Sequence, residues 1–368
     1  MKKLLEKTDP LTFIINRTDA IGDLVLTLPV AQRLKEKFPN CSVVMIVSSR
    51  NRDVVEHCPQ VDGYIEYVGN FLQTWSKIKK AVRESTTAVF IHFGGSQLPI
   101  IQAFLSGVKY RLGLKNKVLT SFLNYGVRQS RSRSLMNELD YNLQVVDCLF
   151  EGEEVSSPAP NKPILRADLK PGQKESFQRL VSEVESEKVN YFLKAKKKII
   201  IHPGMTGHTL NWPVRNYARL IKKILENDKN VVIGVSYTDS DMSKLESFFS
   251  QLELDDIRKS DQIFDIKGEY WGISGYLSLL STVDLFIGPS TGPTHLAAAL
   301  GKSVVAFYSP IKTQSAVRWG PMNICPEHNI LVPDVICGEI RKCAGKKCLY
   351  HECMSKLEVE DVFRKIKY

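Results

Sequence analysis

Residues 284–300, DLFIGPSTGPTHLAAAL, hold the side chains with the most chemistry to offer. A short apolar run breaks into Gly, Ser, Thr and Pro and resumes as an Ala/Leu segment, which reads as strand, tight turn and helix. Gly288 and Gly292 permit backbone conformations closed to other residues, Pro293 suits a first helical position, and Ser290, Thr291 or Thr294 can cap the helix. A helix start of this kind presents free N–H groups and the positive end of its dipole, which suits a phosphate. His295 falls in the first turn, within reach of the same guest. A capped helix with nothing bound would read the same way, because capping boxes far outnumber phosphate sites.

A second segment of the same design tips the balance. Residues 202–220, HPGMTGHTLNWPVRNYARL, follow an expected strand at 198–201 and place Gly204, Thr206 and Thr209 ahead of Pro213, which heads an amphipathic helix. Two polar turns at strand carboxyl ends in one half of the chain point to one crevice, since open α/β sheets bind ligands there. In the other half, the first expected strand (13–16) runs into Arg17-Thr18-Asp19-Ala20-Ile21-Gly22-Asp23. Gly22 allows a tight turn, and Asp23 stands at a helix start where the dipole favours its charged form. As an N-cap Asp23 is structural; as a functional group it is a carboxylate at the mouth of an interdomain cleft.

The elements that must position these residues alternate. Strands are expected at 13–16, 42–47 and 88–93, with helices at 24–38, 51–58, 72–83 and 99–105. A polar, proline-bearing stretch at 151–171 marks a domain junction. Beyond it the pattern restarts with helices at 173–187, 213–226, 240–251, 273–281 and 293–300 and strands at 198–201, 230–235, 284–287 and 303–308. Residues 309–353 read as irregular, and a last amphipathic helix covers about 356–367, with the option of packing back on the N-terminal domain. βαβ repetition implies parallel sheets, hence an α/β protein of two Rossmann-like domains, 1–170 and 171–368, facing a cleft.

At 368 residues, with 43% hydrophobic and 24% charged residues, the chain suits two soluble domains. No apolar run approaches the roughly 20 residues of a membrane span, and the N-terminus lacks a secretory core, so a cytoplasmic protein is expected. A net charge of +10 calls for an acidic partner. Without a zinc finger, RNP motif or GxxG clamp, an anionic membrane surface or acidic substrate is favoured over nucleic acid. Five of the eight cysteines, Cys325, Cys337, Cys343, Cys348 and Cys353, lie near the C-terminus; their irregular spacing without a C-x-x-C pair favours reduced packing cysteines over a zinc site. Gly301-Lys302-Ser303 only imitates a Walker A ending, and no GxGxxG, GxSxG or HExxH occurs.

Three spaced elements carry a resemblance: Arg17, Gly22, Asp23 and Pro29; the pair 202–204 (HPG) and 212–213 (WP); and the STGPTHLAAALG turn at 290–301. Together, and with an ECM tail before the last helix, they resemble the heptosyltransferases of glycosyltransferase family 9. The resemblance spans nearly the whole chain in the right order. It implies a GT-B architecture, with the acceptor bound mainly by the N-terminal domain and a nucleotide-sugar by the C-terminal one. It further implies ADP-heptose as donor, inversion at the anomeric carbon, no cofactor or metal, and a lipopolysaccharide inner-core or related lipid-linked acceptor at a membrane surface.

On that resemblance Asp23 is the catalytic base. Gly204, Thr206, Thr209, Ser236, Ser290, Thr291, Gly292, Thr294 and His295 would meet the donor, and Arg17, Gly22, Lys109, Arg111 and Arg128 the acceptor, alongside Arg131 and Arg133. Three positions depart from the family pattern: Leu210 stands where members commonly carry a lysine, and Ser236 and Ser290 stand where the better-studied enzymes are acidic. Those departures leave open a different nucleotide-sugar or a catalytically weak nucleotide-sugar-binding protein on the same fold. A sugar-nucleotide epimerase or hydrolase is a third reading.

Overall fold

A computed structural model of the chain describes residues 10–115, 118–150, 160–168, 181, 186–205, 207, 209–338, 340 and 342–368. The chain divides into two compact units, Met1–Arg166 and Ala167–Tyr368. The expected helix at 173–187 and most of the junction at 151–171 lie outside the described residues.

In the first unit the order is β1 (Leu11–Arg17), α1 (Ile21–Val25), α2 (Leu28–Lys37), β2 (Ser42–Ser48), α3 (Arg52–Glu56), β3 (Gly63–Tyr67) and α4 (Phe71–Arg83). It continues with β4 (Thr87–Gly94), α5 (Leu98–Leu105), β5 (Tyr110–Leu114), β6 (Tyr125–Val127) and α6 (Glu138–Asp147). The second unit runs α7 (Ser186–Lys194), β7 (Lys197–Ile201), α8 (Val214–Asn227), β8 (Val231–Tyr237), α9 (Met242–Leu254), β9 (Ile263–Lys267) and α10 (Gly268–Thr282). Then come β10 (Leu285–Pro289), α11 (Gly292–Ala299), β11 (Ser303–Phe307), α12 (Ala316–Trp319), β12 (Asn329–Leu331) and α13 (Val359–Arg364).

Each unit is a six-stranded parallel sheet, ordered β3-β2-β1-β4-β5-β6 in the first and β12-β11-β10-β7-β8-β9 in the second. Counted from its own first strand, each unit has the doubly wound order, with the chain reversing direction across the sheet between β1 and β4 and again between β7 and β10. The central strands are buried along their length and read as continuous apolar runs, as parallel strands covered on both faces must. In the second unit Trp212 stacks on Phe307 at 4.4 Å between ring centroids, and Tyr217 meets both rings edge-on.

Several expectations are corrected. The single helix expected at 24–38 is two, because Pro29 near the start of α2 offers no N–H to the preceding turn. Thr27 Oγ1 instead donates to the Asp23 carbonyl at 2.8 Å. Five short strands (β3, β5, β6, β9 and β12) and α6 are additions, and 309–353 includes α12 and β12. The last helix is shorter than expected, Val359–Arg364, and packs on α8 of its own unit: Lys223 pairs with Glu360, and Val362 and Phe363 join the same core as Trp212. Trp212 Nε1 donates to the Leu357 carbonyl at 2.8 Å, which fixes the approach to that helix.

Candidate functional site

The turn after β1 lies at the first unit's switch point, tied to the turn after β4. Asn16 Nδ2 donates to the Ser96 carbonyl at 3.0 Å, and the Ser96 N–H donates to Thr18 Oγ1 at 2.8 Å. Asn51 Nδ2 adds a bond of 2.9 Å to the Asp19 carbonyl. Gly94 must be glycine, because a Cβ there would stand 2.7 Å from Asp19 Oδ2.

Arg17, only 2% exposed, gathers the charges of this turn. Its Nη2 donates to Asp23 Oδ1, its Nη1 donates to the Phe93 carbonyl at 3.1 Å, and its Nη2 lies 3.7 Å from Glu138 Oε1. Its Nε is 2.8 Å from Asp19 Oδ1, an ion pair that is not aligned as a hydrogen bond. Burial works against the charge on Arg17, but Asp23, Asp19 and Glu138 outweigh it and hold its pKa above the ordinary value. Burial raises the pKa of Asp19, with Arg17 opposing and Asp23 reinforcing. Asp23 keeps 22% of its side chain exposed, and among the described residues its Oδ2 accepts no hydrogen bond. Asp23 is not an N-cap: Ala20 holds that position, and Gly22 and Asp23 lie in the first turn of α1.

In the second unit the turns after β7 and β10 are neighbours, since the His202 N–H donates to the Ile287 carbonyl at 2.8 Å. Gly288 serves this approach rather than an unusual backbone angle, because a Cβ there would meet the His202 carbonyl at 3.1 Å. Gly204 has a similar reason: its Cβ would fall 2.6–2.8 Å from the Asp241 carboxylate, which forms a capping box with Thr238.

Thr291 is the N-cap of α11 without a side-chain bond to the helix, so its half-buried first turn is open to a guest. Thr294 Oγ1 is directed away from that guest, donating to the Pro289 carbonyl. His295 is 4% exposed, its Nδ1 has no partner among the described residues, and burial pushes its pKa down to about 4, so at neutral pH it is uncharged.

Ser236 is buried, with its Oγ 3.1 Å from His202 Nδ1 and 3.0 Å from the Tyr276 hydroxyl; that chain packs the base of the turn rather than presenting a free hydroxyl. Burial lowers the pKa of His202, with Asp241 and the Ser236 carbonyl opposing. Ser290 is buried beside Tyr308. Thr209 Oγ1 donates to Gln314 Oε1 at 2.8 Å, and Thr206 lies outside the described residues. Leu210 packs against the core, while Lys244 Nζ donates to the Met205 carbonyl at 3.1 Å and brings a cation to this loop.

The acceptor candidates separate. Arg128 is exposed just past the carboxyl end of β6, the same end of the sheet as Asp23. Lys109 and Arg111 lie at the opposite end of β5. Arg111 is level with Phe90 and Ile14, three residues below Arg17 and hence roughly 10 Å along the strand. The Arg111 guanidinium is engaged by the carbonyls of Phe122, at 2.7 Å, and Val108. Arg131 turns inward to Glu138 and Asn142. Asp19, Glu138, Asp241 and Lys244 went unnoticed in the sequence. Asp19 had a signal in its place between Arg17 and Asp23; the other three are brought in by tertiary structure. Among the described residues no disulfide forms, and no three His, Cys, Asp or Glu side chains are arranged to hold a metal.

Two Rossmann-type units, each with a polar turn at its switch point, define a protein of the GT-B class. Residues 165–332 match the family model of glycosyltransferase family 9 (heptosyltransferase). A Haemophilus influenzae protein whose name goes no further than a glycosyltransferase is 28% identical over 87% of this chain and 88% of its own. Lipooligosaccharide heptosyltransferase 2 of the same organism is 23% identical over 80% of this chain and 82% of its own. In three dimensions the chain resembles E. coli ADP-heptose LPS heptosyltransferase II at a TM-score of 0.71, with 16% identity and 96% of each chain covered. A family 9 glycosyl transferase of Veillonella parvula gives 0.73, with 15% identity over 98% of this chain and 96% of the other. By these comparisons the chain is similar to heptosyltransferases of glycosyltransferase family 9, and its residues 165–332 match that family's model.

Proposed function

We propose that the chain is an inverting, metal-independent transferase that moves a sugar, heptose from ADP-heptose, onto a lipopolysaccharide inner-core or related lipid-linked acceptor. The observation that carries this reading is Asp23: one carboxylate oxygen is gripped by buried Arg17 and the other is free among the described residues, on a half-exposed switch-point turn. In the reaction Asp23 Oδ2 takes the proton of the acceptor hydroxyl as its oxygen bonds to the anomeric carbon from the face opposite the leaving group. The bond from that carbon to the donor diphosphate breaks, and its electron pair leaves with the phosphate. The first-turn N–H groups of α11 receive that charge, a role filled elsewhere by a metal. Uncharged His295 would contribute a hydrogen bond there rather than a positive charge.

The relatives' names support the donor and acceptor classes. No helix among the described residues is long and apolar enough to cross a membrane. We place the enzyme in the cytoplasm at the periphery of the inner membrane, where its net charge of +10 favours an anionic surface. A catalytically weak nucleotide-sugar-binding protein is the second reading, favoured by Leu210, which packs on the core at the position where the family pattern leads one to expect a lysine.

The test is turnover of a nucleotide-sugar panel, ADP-heptose included, by purified protein in EDTA with core acceptors, for the wild type and Asp23→Asn. Acceptor-dependent nucleotide release that falls about 10²–10⁴-fold in a folded, donor-binding Asp23→Asn supports the reading. An undiminished rate in that variant removes Asp23 as the base, and donor binding without release across all acceptors favours the binding protein.

A further inference from the structure

Glu138 opens α6, far along the chain from Asp23, yet it is 2% exposed and faces the guanidinium that holds Asp23. The oxygen that faces Arg17, Oε1, also accepts from Arg131 Nη1, which donates as well to Asn142 Oδ1 at 3.1 Å. Asn142 Nδ2 donates in turn to Thr27 Oγ1 and to the Leu26 carbonyl, both at 3.1 Å, and Thr27 Oγ1 donates to the Asp23 carbonyl. Through both Arg17 and Thr27, α6 is therefore joined to the segment that carries Asp23. Asn137 fixes the start of α6, its Oδ1 accepting the Leu139 N–H at 2.9 Å. A buried carboxylate between two guanidiniums is costly to desolvate and is retained where it fixes a geometry.

We infer that Glu138, backed by Arg131, is a positioning residue for glycosyl transfer: it holds Arg17 so that Asp23 keeps one oxygen gripped and one free. This rests on Asp23 being the base.

The experiment compares Glu138→Gln, Arg131→Lys, Asp23→Asn and the double variant Asp23→Asn/Glu138→Gln in the full chain. In Glu138→Gln, kcat falls about 10–100-fold, the size of a geometric displacement at a reacting group, with donor and acceptor KM little changed. That split, a lower kcat at unchanged KM in a folded variant, is one that a merely structural role would not produce. The double variant is no slower than Asp23→Asn, because Glu138 acts through Asp23. Arg131→Lys, which keeps the charge but loses the double grip on Glu138 and Asn142, shows a smaller fall of the same sign and decides the matter if Glu138→Gln does not fold. A folded Glu138→Gln with wild-type kcat overturns the inference, as does a full additional loss in the double variant. If Asp23→Asn alone keeps its activity, the failure belongs to the base assignment.

Discussion

His295 offers a direct test of how dry the start of α11 is. Its Nδ1 is buried without a partner among the described residues, and burial carries its pKa from 6.5 down to about 4. The unfolded chain binds the proton at the ordinary value, so between these limits the unfolded state holds more protons than the folded one. Stability is then fully present above about pH 6.5 and is lost as pH falls toward 4. The gap, 6.5 − 4, corresponds to about 3 kcal/mol in full and about 2 kcal/mol by pH 5. His295→Leu removes the titration at similar volume and leaves no polar atom unpaired. Urea unfolding at pH 7 and pH 5 reads the effect through tryptophan fluorescence, since Trp212, Trp271 and Trp319 lie in the second unit and only Trp75 in the first. The wild type should lose about 2 kcal/mol more than His295→Leu between the two pH values. Equal losses would refute the reasoning and mean that water or a partner reaches the imidazole in solution. With ADP bound near this turn, the diphosphate should favour the imidazolium and shrink the wild-type loss.

Three further substitutions separate structural from functional roles. Gly204→Ala pushes a methyl group against the Asp241 carboxylate and should cost about 1–3 kcal/mol by urea unfolding, with weaker donor binding; an unchanged midpoint would mean that the capping box yields freely. Arg111→Leu leaves the Phe122 and Val108 carbonyls short of a donor and should lower the Tm while the acceptor KM stays put; a raised acceptor KM at unchanged Tm would restore Arg111 to the acceptor site. Trp212→Phe loses the bond to the Leu357 carbonyl, about 1 kcal/mol, and should speed protease cleavage beyond residue 357; an unchanged cleavage rate would show that the core contacts of Val362 and Phe363 suffice to hold α13.

What could be read from the sequence followed the range of the forces involved. Strands such as β1 and β10 announce themselves as apolar runs because both faces are covered, and Pro293 with Thr291 marks the start of α11 within a few residues. The strands that escaped, such as β5 (YRLGL) and β9 (IFDIK), carry mixed residues whose strand state is set by the neighbour they pair with. Site residues divide in the same way. Asp23 is visible because turn, glycine and carboxylate are contiguous, whereas Glu138 is one acid among many until folding places it beside Arg17. Arg111 and Arg128 look alike in the sequence; the parallel sheet sends one to the amino end of β5 and the other to the carboxyl end of β6, where a doubly wound sheet binds its ligands.

The two units put one topology to opposite electrostatic uses. At the first switch point a buried arginine gathers carboxylates and leaves one oxygen ready for a proton. At the second, an uncapped helix start and a neutral histidine offer donors to an anion, and Lys244 brings a cation to the neighbouring loop. A reaction that takes a proton from one substrate and develops negative charge on the leaving group of the other needs both environments, and a chain with two Rossmann units can tune each without disturbing the other.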